Sequence, residues 1–182
     1  MYPDGAVFTL LIDIKSAAVP TYKVLDKTLA EYQDVFTSYS IDGRNDKAVF
    51  AIVSGNRPRE LMESQELRYA AYDGRLADLE SDAPADLIPL ISDSWTRHFT
   101  WKGIGVMPAE ERRKLRRIVE AAHRKGRRVR FWATPDNPSA ARQALWTELV
   151  LAGVDLINTD DLKGLQHFLL TDSCSKGRAT DP

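Results

Sequence analysis

Short apolar runs alternate along this chain with longer stretches in which apolar residues recur at steps of three and four. The runs at 10–15, 48–53, 67–72, 128–134 and 154–157 read as buried strands. Between them, 21–36 places Tyr22, Leu25, Leu29, Tyr32 and Phe36 on one helical face, and 108–125 does the same with Leu115, Ile118, Val119 and Ala122. A helix with Leu145, Trp146, Leu149 and Val150 on its inner side is predicted from an Asn137 cap, with Pro138 at its first position and Gly153 at its end. Shorter helices are expected at 58–64 and 161–170. Pro58 and Pro108 suit first turns, and Gly126 suits a helix stop. The segment 41–46 reads as a polar turn. The region 76–101 is the least regular, and its run 87–91 is read as part of a long loop rather than as a strand ending in Ser92 and Asp93. Strands alternating with helices argue for an α/β fold, a parallel sheet covered by helices.

The polar residues that follow each run matter next. In such folds ligands bind at the carboxyl ends of the strands. Asp13 and Lys15, Ser54 and Arg57, Asp73 and Arg75, Thr134 and Asp136, and Asn158 and Asp160 all stand there. Alternation puts Asp13 and Lys15 on one face of their strand and Ile12 and Ile14 on the other. On pattern alone the acid and base form a salt bridge or face a ligand. Arg57 and Arg75 are candidate substrate-binding residues by placement.

Composition narrows the class. The chain has 182 residues, 43% hydrophobic and 28% charged, which suits one domain. A formal net charge of −1 gives no reason to expect nucleic acid as a partner. Cys174 is the single cysteine, so neither an internal disulfide nor a cysteine zinc site is expected. No apolar run is long enough to cross a membrane, and the first residues do not read as a signal peptide. They enter a strand almost at once through a turn at Pro3, Asp4 and Gly5. The compartment is left open, a secreted or periplasmic parent being compatible. No glycine-rich phosphate loop follows any strand, which weakens a nucleotide-binding open sheet against part of a closed barrel.

Three motifs resemble the later part of the glycerophosphodiester phosphodiesterase and phosphatidylinositol-specific phospholipase C superfamily. LLIDIK, residues 10–15, resembles the fourth barrel strand. RFWATPD, residues 130–136, resembles the seventh, and GVDLINTDDL, residues 153–162, the eighth. The resemblance implies a partial (β/α)8 TIM barrel over 1–170, strands four to eight, with a disordered tail at 171–182. By position it makes Asp13 a metal ligand and Lys15 a catalytic residue facing phosphate or metal-bound water. Trp132 becomes a substrate-pocket residue and Asp160 a stabiliser of the rim. A phosphodiester small molecule or lipid headgroup is the implied ligand, and calcium or magnesium the implied cofactor of the intact enzyme.

The family's paired histidines and its further metal-ligand acids come from the first strands, and nothing here matches them. A complete barrel takes about 250 residues. One carboxylate is too little for a hard divalent cation, which takes six or more oxygens. The chain is therefore expected to be a fragment that binds metal weakly or not at all, and to be inactive and poorly stable by itself. A non-catalytic remnant or binding module is the alternative.

Other signals read as structural. The basic stretch 112–130 is a solvated helix face, offset by Glu110, Glu111 and Glu120. Arg130 shares a strand face with Trp132 and needs a carboxylate, for which Asp155 is the candidate. His98 is either a pocket residue or a hydrogen-bonded loop residue. Trp146 is core by its spacing, while Trp95 and Trp101 are undecided between core and ligand stacking.

Overall fold

The computed structural model describes residues 7–176, with side chains to 171; the expected turn at Pro3, Asp4 and Gly5 lies outside the described residues. Two compact units divide the chain, Met1–Gly74 with Ser81–Leu90 and Arg75–Glu80 with Ile91–Pro182. Both carry strands alternating with helices. The architecture is mixed α/β with parallel strands, of the partial TIM-barrel type expected.

In the first unit β1 (Phe8–Ile14), β4 (Val49–Gly55) and β6 (Ala70–Gly74) form a parallel sheet with β4 in the middle. The β1–β4 register pairs Leu10 with Ala51 and Asp13 with Ser54, while Val53 pairs with Tyr72 on β6. Strand β4 is apolar on both faces and buried from Phe50 to Ser54, as a central parallel strand requires. Helix α1 (Ala18–Glu31) buries Tyr22 and Leu29, and α2 (Arg59–Glu63) buries Met62. Helix α1 stops short of Phe36 because the backbone leaves helical geometry at Tyr32, φ −112° and ψ 32°, whose N–H turns to the Leu29 carbonyl at 3.0 Å.

A small antiparallel sheet was not expected. It joins β2 (Ser38–Ser40), β3 (Gly43–Asn45) and β5 (Leu67–Arg68) in the order β3-β2-β5. The segment 41–46 expected as a polar turn is one only in part: 41 and 42 form the tip of a hairpin, and 43–45 are its second strand. The single strand expected at 67–72 divides, its first residues pairing with β2 and its later ones with β4.

In the second unit β7 (Leu90–Ser94), β8 (Arg128–Trp132) and β9 (Leu156–Ile157) lie in that order. Strand β7 corrects the loop expected at 87–91. Leu87 and Ile88 belong to a turn closed on the Pro84 carbonyl, and the strand starts only at Leu90. Its later residues, Ser92, Asp93 and Ser94, are polar yet buried, so no apolar alternation betrays it.

Helix α3 (Trp95–His98) follows directly, and α4 (Ala109–Arg124) turns Leu115, Ile118, Val119, Ala121 and Ala122 inward. Gly126, at φ 68°, ends α4 in a paired cap. Its N–H reaches the His123 carbonyl and that of Arg127 the Ala122 carbonyl. Helix α5 (Ala140–Leu151) is capped by Ser139, not by Asn137, the hydroxyl accepting from Arg142 N at 3.2 Å. Helix α6 (Leu162–Lys176) continues into the stretch from 171 expected to be disordered; 177–182 lies outside the described residues.

The undecided tryptophans are structural. Trp95 is fully buried, stacked on Phe99 at 4.1 Å and edge-on to Phe131 at 5.5 Å. Trp101 is buried, its indole N–H donating to the Ile104 carbonyl at 3.0 Å. Among the described residues no helix is long and apolar enough to cross a membrane.

Candidate functional site

In the first unit the strand ends behave differently from one another. Lys15 Nζ lies 2.7 Å from Asp13 Oδ2, with the two side chains 83% and 48% exposed. They share a face as alternation requires, and they form the salt bridge that the pattern alone allowed. Exposed pairs of this kind contribute about 0–1 kcal/mol. Gly55 sits beside them at φ +70°, where a Cβ would stand 2.2 Å from Asp13 Oδ1. The glycine thus leaves room for the carboxylate across the end of β4.

Deeper in, the Ser54 hydroxyl donates to Asp73 Oδ2 at 2.5 Å, and Asp73 is fully buried. Arg57 is engaged locally. It donates to the Gly55 carbonyl at 2.8 Å and lies over the Tyr72 ring at 4.5 Å.

In the second unit two guanidinium groups converge on Ser92. Arg75 Nη1 donates to its carbonyl at 3.0 Å, and Arg130 Nη1 to its hydroxyl at 2.9 Å. Arg130 also donates to Asn158 Oδ1. Strand β8 buries Val129 and Phe131 on one face and half-buries Arg130 and Trp132 on the other, so the expected sharing of a face holds. The expected Arg130–Asp155 pair does not form. Asp155 instead takes His123 Nε2 at 2.9 Å and Val129 N–H at 2.7 Å. Trp132 has the Arg97 guanidinium 6.0 Å from its ring centre.

The end of β7 adds a pair of groups that the loop reading kept apart. Asp93 is buried and accepts from Leu76 N–H at 3.1 Å and from Ser94 N–H at 2.7 Å, while His98 Nε2 lies 3.1 Å from its Oδ2. Burial pushes the Asp93 carboxyl up, but these N–H groups and His98 outweigh it and hold it below the usual range. A depressed carboxyl stabilises the fold above its unfolded value of about 3.9, and that stability is lost as pH falls through the lower folded value. The melting temperature is therefore expected to fall below about pH 4, and Asp93→Asn should flatten that fall. An unchanged acid limb in Asp93→Asn would assign the sensitivity to another group.

The last motifs act as a clamp. Asp136 accepts from the Thr159 hydroxyl and from Asp160 N–H at 2.8 Å. The Asp160 side chain is exposed, so the Asp136 carboxylate is what ties these two segments. Arg142 is buried and spans the same region, donating to the Asp136 carbonyl at 2.8 Å and to Asp161 Oδ2 at 2.9 Å. The basic stretch is likewise engaged in part: Arg112 pairs with Glu148, and buried Arg127 donates to the Asp78 carbonyl at 2.7 Å.

A divalent cation is what the resemblance implies, and the donors present do not fit one. Asp13 is held by an ammonium, and among the described residues no group of three or more His, Cys, Asp or Glu side chains could hold a metal ion.

Comparison with known proteins supports the resemblance. Residues 128–163, which span β8, α5, β9 and the start of α6, match the glycerophosphoryl diester phosphodiesterase family. The chain is 28% identical over 185 residues to altered inheritance of mitochondria protein 6 of Eremothecium gossypii, covering 87% of this chain and 46% of that protein. It is 27% identical over 178 residues to the Arthroderma benhamiae homolog, covering 91% and 54%. A shorter match, 33% over 65 residues, links it to the Lachancea thermotolerans protein of the same name, covering 35% of this chain and 15% of that protein. The chain thus spans about half the length of the first two of these curated relatives. No solved structure matches it.

Proposed function

We propose that this chain, similar to the glycerophosphoryl diester phosphodiesterase family across its β8–α6 end, is the later part of a phosphoric diester hydrolase lineage in lipid metabolism. Its ligand in this reading is a glycerophosphodiester or an inositol phospholipid headgroup. The observation that supports it is the convergence of Arg75 and Arg130 on Ser92, in the unit that contains the family-matched segment. Guanidinium groups suit phosphate oxygens in geometry as well as charge. Trp132, in the same unit, would pack against the body of the ligand. In the first unit, taken by itself, Lys15 and Arg57 are the proposed phosphate contacts and Asp13 the proposed metal ligand of an intact enzyme.

The chain by itself is proposed to be inactive. Phosphodiester cleavage without a positioned acid–base pair forfeits about 10²–10⁴-fold in rate, and the Asp13–Lys15 pair supplies no such couple. The purified 182-residue chain is expected to give no metal-dependent release of nitrophenol from bis(p-nitrophenyl) phosphate. Turnover that requires calcium or magnesium and disappears in Asp13→Ala would overturn this. The exposed, already paired Asp13 also favours the alternative of a non-catalytic module with the same binding face. Calorimetry of the chain with calcium or magnesium is expected to show tight uptake of neither.

A further inference from the structure

A cleft of about 920 Å³ opens in the first unit at the amino-terminal end of β6, away from Asp13, Ser54 and Asp73 at the carboxyl strand ends. Its walls come from the unforeseen antiparallel sheet, the end of α2 and the turn before β7. Ala83 and Pro84 give it apolar surface, with buried Met62 and Leu87 behind them, and Ile41, 95% exposed at the hairpin tip, stands at its rim. Clefts of this size hold small organic ligands.

Arg68 lines the same cleft and is buried. Its guanidinium lies 4.1 Å from the Tyr39 ring centre and donates to the Ala70 carbonyl at 2.9 Å and the Asp86 carbonyl at 2.8 Å. These partners are neutral. Among the described residues no carboxylate comes within ion-pair distance of Arg68. The cleft carboxylates belong elsewhere: Glu63 pairs with Arg59 at 2.9 Å, and Glu66 is exposed. Burial pulls the Arg68 guanidinium down, yet an arginine stays charged. The Asp86 carboxylate, beyond ion-pair distance, offsets the charge only in part and is shared with Arg44 at 3.8 Å. A buried cation so incompletely balanced is costly, and an anion entering the cleft would relieve that cost.

We propose that this cleft binds a small amphiphile, an apolar chain bearing one anionic head, with the head on Arg68 and the chain on Ala83, Pro84 and Ile41. The site is separate from the phosphodiester site proposed above and does not depend on it. Two head groups satisfy the same chemistry, a carboxylate as on a fatty acid and a phosphate monoester as on a lysophospholipid.

Calorimetry of the full chain with decanoate, decyl phosphate, decanol and decylammonium, each below its micelle concentration, tests it. One or both anions should bind, at least 10-fold tighter than decylammonium and tighter than decanol. Preference for one anion identifies the head group. Arg68→Met should abolish the preference for anions over decanol while leaving decanol binding in place. Because that variant also loses two backbone hydrogen bonds, Ile41→Asp provides an independent reading. It alters a fully exposed position, should melt like the parent, and should weaken the anions at least 5-fold with Ile41→Ser as control. Equal binding of anion and decylammonium, no binding of either anion at millimolar concentration, or an Ile41→Asp variant that binds the anions unchanged would overturn the proposal.

Discussion

Replacing Trp95 by alanine is expected to remove about 3–5 kcal/mol of folding stability, the range for deleting a large aromatic side chain from a packed core. Three contributions add. The indole is fully buried and stacks on Phe99, with Phe131 meeting it edge-on. Phe99 and Phe131 also meet edge-on at 5.6 Å, so the three rings form one cluster and a cavity at Trp95 unsupports both others. Finally, the indole N–H donates to the Trp101 carbonyl at 2.7 Å, and its loss leaves a buried acceptor unpaired. Denaturant unfolding followed by far-ultraviolet circular dichroism gives the number directly. Trp95→Phe should recover a large share of the loss by restoring ring contacts without the N–H. A loss below about 1 kcal/mol would mean that the ring is no part of a tightly packed core. The effect reaches the site as well, because Trp95 opens the helix that carries His98 to Asp93. A variant that still folds should therefore show a weaker acid dependence in the Asp93 region.

Trp95 also shows where the sequence stops informing. The strands 10–15, 48–53 and 128–134 were legible because burying a parallel strand demands apolar runs, and LLIDIK and AVFAIV supply them. Strand β7 was not, because three of its five residues are Ser92, Asp93 and Ser94, whose burial is tolerated only through partners at Arg75, Leu76 and Arg130. Those partners are distant in sequence, and no local pattern announces them. With β7 unread, Trp95 and His98 could not be placed.

The Arg130 case divides in the same way. Alternation correctly put Arg130 on the Trp132 face, since that follows from backbone geometry alone. The partner required knowing how Asp155 leaves α5, and Asp155 turns back to Val129 N–H and His123. Asp13 and Lys15 share the face that alternation gave them, and their ion pair is one of the two outcomes the pattern left open. The metal role came from resemblance, and the donors around Asp13 do not supply it.

Arg142→Met is expected to cost about 2–3 kcal/mol, through the loss of buried charge-assisted hydrogen bonds and of a cation resting on an indole. The guanidinium lies over the Trp146 ring at 4.4 Å, and Trp146 in turn packs on Phe168 at 5.3 Å. Methionine keeps most of the stem against Trp146, so the measured loss reports the head group rather than a cavity. What the head group does is join the two motifs on which the family match rests. One N–H holds the Asp136 carbonyl after β8, and another holds the Asp161 carboxylate after β9. Asp161 is the cap of α6, its Oδ1 accepting from Gly164 N–H at 2.8 Å. The Gly164 N–H, then Arg142, hold its carboxyl below the usual range. Stability from that carboxyl is present above about pH 3.9 and lost as pH falls through its lowered value. Arg142→Met should therefore lower the denaturation midpoint at neutral pH and narrow the gap to the parent in acid. Asp161→Asn, which keeps a capping oxygen, should shift the midpoint far less. Equal losses in the two variants would instead assign the effect to the cap of α6, leaving Asp136 and its bonds to Thr159 and Asp160 as the tie between the strand ends.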